Sequence, residues 1–174
     1  VLVVDKGWNP GGRMATRTTE RARFDHGATF FYAAPGSFQA DLEGWRNAGA
    51  AGVWSGVGTG EQLWRGTPDM RALGARLAGD LPVATRTRLT AVGREGPRWR
   101  VETEGGESLT ADAVLMTPPV PQTRELLAAG EFPVDPGLAR RLDQVAYDRC
   151  FVVMAELDGP GRVPAPGFLE PEEG

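Results

Sequence analysis

Cysteine and histidine each occur once in the 174 residues, as Cys150 and His26. A lone thiol cannot close an internal disulfide, and one thiol with one imidazole is too few nitrogen and sulfur ligands for a conventional structural zinc site. A chain built without disulfides is expected in a reducing, cytoplasmic setting. Basic residues form no run either: 19 Lys and Arg against 23 Asp and Glu give a net charge of -4 and a pI near 5.1. The sequence therefore lacks the cationic footprint by which nucleic acids and anionic membrane surfaces are recognised, and neither is expected as a partner. No apolar stretch approaches the ~18 residues of a membrane span. No basic segment followed by an apolar core and cleavage site marks a secretory signal.

What is present suits a folded core. Hydrophobic residues make up 41% and charged residues 24%, ordinary for a soluble globular protein, in a length that suits one sizeable domain or two small ones. The 24 glycines and 14 prolines are scattered among apolar segments, which implies short elements joined by frequent turns. Val1 stands inside the apolar run 1–4, and the chain stops in a Gly/Pro/Glu-rich stretch after Phe168-Leu169. These ends are expected to be those of a fragment cut at the start of a strand.

The run 1–4, closed by Asp5, has the continuous β-branched and aliphatic character of a strand buried on both faces of a parallel sheet. Gly7-Trp8-Asn9-Pro10-Gly11-Gly12 follows as a turn whose glycines permit positive φ and close approach of backbone to a ligand, and Arg13 comes next. The stretch 24–31 reads as extended, interrupted at Gly27. Ser37 is the expected N-cap of a helix with Phe38, Leu42 and Trp45 on one face, ending near Gly49. A second helix is expected from Thr67 as N-cap and Pro68 at its first position, with Met70, Leu73 and Leu77 facing inward and Gly79 as the stop. The period then changes to two. Runs at 89–94, 98–103 and 108–112, parted by Glu95-Gly96-Pro97 and Gly105-Gly106, predict an antiparallel meander. Residues 113–117 are expected as a second buried parallel strand, 121–129 and 137–142 as helices, 151–157 as a strand, and 158–166 as a Gly/Pro loop.

A buried strand that ends in an acid and leads into glycines and an arginine has a chemical use. A carboxylate at the edge of the second strand of a Rossmann unit accepts hydrogen bonds from an adenosine ribose, while backbone N–H groups and a guanidinium neutralise the adjoining pyrophosphate. Asp5 and Gly11-Gly12-Arg13 suit those roles. An Asp after a strand also begins ordinary turns, and Gly-Gly is a common loop, so spacing leaves both readings open.

The joint pattern is more specific. Val1-Leu2-Val3-Val4-Asp5-Lys6, Gly11-Gly12-Arg13-Met14-Ala15-Thr16-Arg17, and Phe24-Asp25-His26-Gly27-Ala28-Thr29-Phe30-Phe31 resemble, in order and spacing, the renalase-like branch of the FAD-dependent amine oxidase superfamily. The likeness continues through Phe38-Gln39-Ala40, Trp45, Gly66-Thr67-Pro68-Asp69-Met70, the segment from Leu89, the run 113–119 and Tyr147-Asp148-Arg149-Cys150. It implies an α/β fold: a Rossmann-like FAD-binding domain with an antiparallel meander, interleaved with an α+β substrate domain. Residues 1–30 and 80–120 would form the first, and 31–79 and 121–174 the second.

By the same resemblance Asp5 would hold the adenosine ribose with Lys6 beside it. Gly11, Gly12 and Arg13 would approach the pyrophosphate, with Met14 close by. His26, Gly27 and Ala28 would pass the flavin ring; Leu89 would bracket the adenine, and Thr117-Pro118 would lie near the adenosine half. Thr29 stands where relatives usually carry glutamine, which shortens a polar side chain beside the flavin. The family's Gly-x-Gly-x-x-Gly turn would precede Val1 and a final flavin-binding segment would follow Gly174, so the 174 residues alone are expected to bind FAD weakly or not at all.

The activity implied is two-electron oxidation of a small organic substrate, a dihydronicotinamide or an amine, with oxygen reoxidising the flavin to give hydrogen peroxide. Hydride acceptance is the cofactor's chemistry, so His26 is expected to pack or hydrogen-bond beside the flavin rather than act as a base, and no catalytic residue is assigned. Cys150 is expected to be a small buried residue rather than a nucleophile. Trp99 between Arg98 and Arg100 follows a strand pattern, not that of a nucleic-acid platform. A noncatalytic remnant that has lost FAD is the alternative, and a flavin-dependent monooxygenase accounts less well for 25–28.

Overall fold

A computed structural model of the chain describes residues 1–33, 36–56, 62–159 and 163. In chain order its elements begin with β1 (Val3–Val4), a 3-10 turn (Gly12–Met14), β2 (Thr16–Thr18), β3 (Arg23–Asp25) and β4 (Phe31–Tyr32). Helix α1 (Ser37–Asn47), β5 (Ala51–Gly56), β6 (Gln62–Gly66) and α2 (Met70–Ala78) follow. The remainder is β7 (Val83–Ala84), β8 (Leu89–Glu95), β9 (Arg98–Thr103), β10 (Ser108–Ala111), α3 (Val120–Ala129) and α4 (Pro136–Asp143). The result is mixed α/β. The chain divides into two compact units, Val1–Trp8 with Pro82–Phe151 and Asn9–Leu81 with Val152–Gly174.

In the first unit β8, β9 and β10 make a three-stranded antiparallel sheet, order β10-β9-β8. The two connections carry glycines at positive φ, Gly96 at 59° and Gly106 at 82°, a region costly for residues with a Cβ. One face of this sheet is apolar: Val92, Val101 and Leu127 are buried, with Leu89, Trp99, Leu109 and Phe132 packed against them. Helix α3 seats on β8 where glycine meets glycine. A Cβ on Gly93 would collide with the Gly130 carbonyl, and one on Gly130 with the backbone of Val92. Asp135 caps α4 by accepting from the Leu138 N–H at 2.9 Å.

The strand expected over 1–4 shortens to β1, paired in parallel with β7 through Val3↔Val83 and Val4↔Ala84. Two further expectations are corrected. Residues 113–117 and 151–157 find no ladder partner among the described residues, so apolar composition there does not become a strand. Val114 and Met116 pack on the first unit's core, whereas Leu115 is 90% and Phe151 91% exposed. Cys150 is likewise exposed rather than buried, because residues 143–150 contribute nothing to the core. The loop expected over 158–166 lies outside the described residues apart from 158, 159 and 163.

The second unit is built on the sheet β4-β6-β5. Leu42 of α1 packs with Ala51 and Trp64, flanked by Phe31 and Trp45. Phe38 and Trp45 meet edge to face at 5.4 Å, as their spacing on one helical face requires. The helix starts at Ser37, but the cap position is Gly36 at φ 95°, and Ser37 supplies no capping bond. The second helix also starts later than its sequence suggests. Asp69, not Thr67, is the N-cap, accepting from the Ala72 N–H at 2.9 Å, so Pro68 lies outside the helix. Its end at Gly79, φ 52°, agrees with the expectation. Among the described residues no helix is long and apolar enough to cross a membrane, and no three His, Cys, Asp or Glu side chains gather as a metal site.

Candidate functional site

The candidate residues fall into both units, and each set has its own geometry. In the second unit, Gly11 at φ 128° and Gly12 at φ 48° start the tight turn that exposes Arg13. The Met14 N–H closes that turn on the Gly11 carbonyl at 2.8 Å. The turn lies against 26–28: the Ala28 N–H donates to the Arg13 carbonyl at 2.8 Å, and the His26 N–H to the Ala15 carbonyl at 3.3 Å. Gly27 makes this approach possible, since a Cβ there would strike the Arg13 carbonyl oxygen. A Cβ on Gly74 of α2 would stand 2.8 Å from the Gly11 Cα, so the turn is also held from the helix side.

The chain thus brings Gly11, Gly12, Arg13 and Met14 together with His26, Gly27 and Ala28. Gly12, Arg13, His26, Gly27, Ala28 and Thr29 are exposed, and Met14 is half-buried. Neither the Arg13 guanidinium nor the His26 imidazole has a partner among the described residues. An exposed guanidinium beside two glycines offers positive charge, with backbone able to approach closely, the combination that suits a diphosphate.

Beneath this rim lies a polar network that sequence reading missed. The Thr16 hydroxyl donates to Asp25 Oδ1 at 2.6 Å, and the same oxygen accepts the Met70 N–H at 3.1 Å. The Arg71 N–H donates to Thr16 Oγ1 at 3.1 Å. Asp69, almost fully buried, also pairs with Arg23 at 3.5 Å and Arg71 at 3.7 Å. The antiparallel pair β2-β3 is thereby fastened to the first turn of α2. The Thr-Pro-Asp-Met start was visible, and Asp in that position is a capping signal; the partners of Asp25 lie too far along the chain to be read from spacing.

In the first unit Asp5 ends β1 half-buried. Its Oδ1 accepts the Gly7 N–H at 2.7 Å, and its carbonyl accepts the Thr87 N–H at 3.0 Å. Lys6 is exposed beside it. Leu89 opens β8 and packs on the apolar cluster. Thr117 is exposed, and the Pro118 carbonyl accepts the Thr123 hydroxyl at 3.2 Å, at the start of α3. Trp99 packs on Phe132 at 4.9 Å, with the Arg94 guanidinium 4.2 Å from its ring.

Comparison with known proteins gives matches along most of the chain. Residues 47–172 match the flavin-containing amine oxidoreductase family, and residues 1–42 match an NAD(P)-binding Rossmann-like domain. A solved structure from Exiguobacterium sp. 255-15, provisionally assigned as a protoporphyrinogen oxidase, is 34% identical over 38% of this chain, with a TM-score of 0.34. The alignment covers 15% of that longer protein.

Proposed function

Because this chain belongs to the flavin-containing amine oxidoreductase family, we propose that it serves an FAD-dependent oxidase of the renalase-like branch, acting in the cytoplasm on a small organic substrate. Residues 1–30 and 80–120 serve the cofactor, and 31–79 and 121–174 the substrate. The observation that carries this reading is the packing of the Gly11–Met14 turn on Gly27–Ala28, which leaves a partnerless cation on a glycine rim.

Taken unit by unit, the residues suit separate parts of an FAD. Asp5 keeps acceptor capacity for ribose hydroxyls after receiving the Gly7 N–H, and Lys6 adds a cation beside it. Arg13, with Gly11 and Gly12, neutralises the diphosphate, and Met14 packs behind them. The exposed backbone of Gly27 and Ala28, with His26 and Thr29, borders the flavin ring. Leu89 brackets the adenine, with Thr117 and Pro118 at the adenosine half. FAD, when bound, accepts two electrons from a dihydronicotinamide or an amine and passes them to oxygen as hydrogen peroxide. The protein's part is to orient the two reactants and exclude water between them.

The test is FAD titration of the protein expressed from its complete gene, with Asp5→Ala and Arg13→Ala as variants. Each is expected to weaken FAD by roughly tenfold, the effect of one charge-assisted contact. Anaerobic addition of a dihydronicotinamide or an amine should then bleach the flavin's visible absorbance, with peroxide appearing on readmission of air. Absence of flavin binding would favour the noncatalytic reading.

A further inference from the structure

In the run 152–157, Glu156 is the one residue with a hydrogen bond or ion pair among the described residues. The run belongs to the second unit. Its apolar side chains are nevertheless left to water, with Val153 91% and Leu157 63% exposed. Apolar burial and ladder bonds, which hold the other elements of this unit, are therefore not what holds this one.

The partner of Glu156 is the tip of the β2-β3 hairpin. Thr19 Oγ1 accepts the Ala22 N–H at 3.0 Å and the Arg21 N–H at 3.3 Å, the side-chain turn that folds the tip. A hydroxyl has one proton to give. The Ala22 carbonyl at 3.3 Å and Glu156 Oε1 at 2.5 Å both lie within its reach, and the shorter, charge-assisted bond takes it. Arg21 Nε stands 3.8 Å from Glu156 Oε2. Both carboxylate oxygens are thus met by the tip, which is built as a two-pronged receptor for a carboxylate.

The two ends of the hairpin are held unequally. At its base Thr16 and Asp25 are bonded to each other and to the first turn of α2. At its tip the clasp is an exposed charge pair, with Arg21 68% accessible. Pairs of that kind shift a population by about fivefold at most, which leaves open and closed states in balance.

We propose that residues 152–157 are a strap that opens and closes on the hairpin tip, with Glu156 as its clasp, and that a competing carboxylate, such as an acidic side chain of a peptide, takes the tip and frees the strap. A carboxylate carried on the same chain acts at an effective concentration of the order of mM, so a free carboxylate well above that level displaces it. The device needs no cofactor and stands or falls apart from the oxidase reading.

The experiment measures the distance between spin labels on the full chain. Cys150, the single cysteine, is replaced by Cys150→Ser, and labels are placed through Glu20→Cys at the tip and Ala155→Cys in the strap. A short and a long distance should coexist. Glu156→Gln and Arg21→Glu should each deplete the short one about three- to fivefold, and Arg21→Glu combined with Glu156→Arg should restore it. Sodium acetate at about 200 mM should deplete it severalfold more than sodium chloride at equal ionic strength. The NMR signal of His26, the single imidazole, should not move in Glu156→Gln, because the base of the hairpin is bonded independently. The proposal is overturned by a single short distance that Glu156→Gln leaves in place, which would make 152–157 a fixed part of the fold, or by the absence of a short distance. It is equally overturned if the charge exchange fails to restore the short distance, if acetate acts no more strongly than chloride, or if the His26 signal shifts.

Discussion

The side chains of Thr16, Asp25 and Asp69 in the second unit are bonded to the chain itself, whereas those of Lys6 and Arg88 in the first have no partner among the described residues. The first three join β2-β3 to α2 through bonds of 2.6 to 3.1 Å. Lys6 and Arg88 line a groove with donors unmet. The contrast teaches that polar residues of the same chain divide by destination: buried ones must be satisfied internally, while exposed ones can wait for a ligand at little cost to folding. Arg13 belongs with the second group although it lies in the first group's unit, because its backbone is committed and its guanidinium is not.

Substitutions can break this comparison. Gly27→Ala is expected to have the largest effect, destabilising by about 3 kcal/mol, since the new methyl meets the Arg13 carbonyl and the backbone must move; urea denaturation measures it. Asp25→Ala should cost about 2 kcal/mol, because it strands the Thr16 hydroxyl and the Met70 N–H. A loss below 0.5 kcal/mol, on the same order as a neutral surface change, would show that this network is not a structural anchor. Ser37→Ala should cost less than about 0.5 kcal/mol, since the hydroxyl caps nothing. Arg88→Ala should leave the unfolding midpoint essentially unmoved, within about 0.5 kcal/mol, and so sharpen the distinction between the two groups.

Elements specified by neighbouring residues were legible in the sequence. The turns at Gly96 and Gly106 and the period-two runs around them lead to β8, β9 and β10, and helices α3 and α4 follow their apolar spacing. Pairing that joins distant segments was not. Residues 113–117 read as a strand from composition alone, yet a strand also needs a neighbour, and none is present among the described residues. The start of α2 was misplaced because Thr67-Pro68 offers the usual cap pattern, while Asp69 both caps the helix and pairs with two arginines.

The candidate site divides in the same way. Gly11, Gly12 and Arg13 could be picked out by residue type, and Gly27 by its interruption of an extended run. That Gly27 is required by the Arg13 carbonyl could only be seen once the chain had folded.

The crowded start of α2 also limits what that helix can do. Its first N–H groups, from Met70, Arg71 and Ala72, are already taken by Asp25, Thr16 and Asp69. A helix beginning ordinarily attracts anions, but here two carboxylates occupy the positive pole. An approaching phosphate would meet repulsion at α2, so in the proposed cofactor site anion capture would fall to the arginine on its glycine turn.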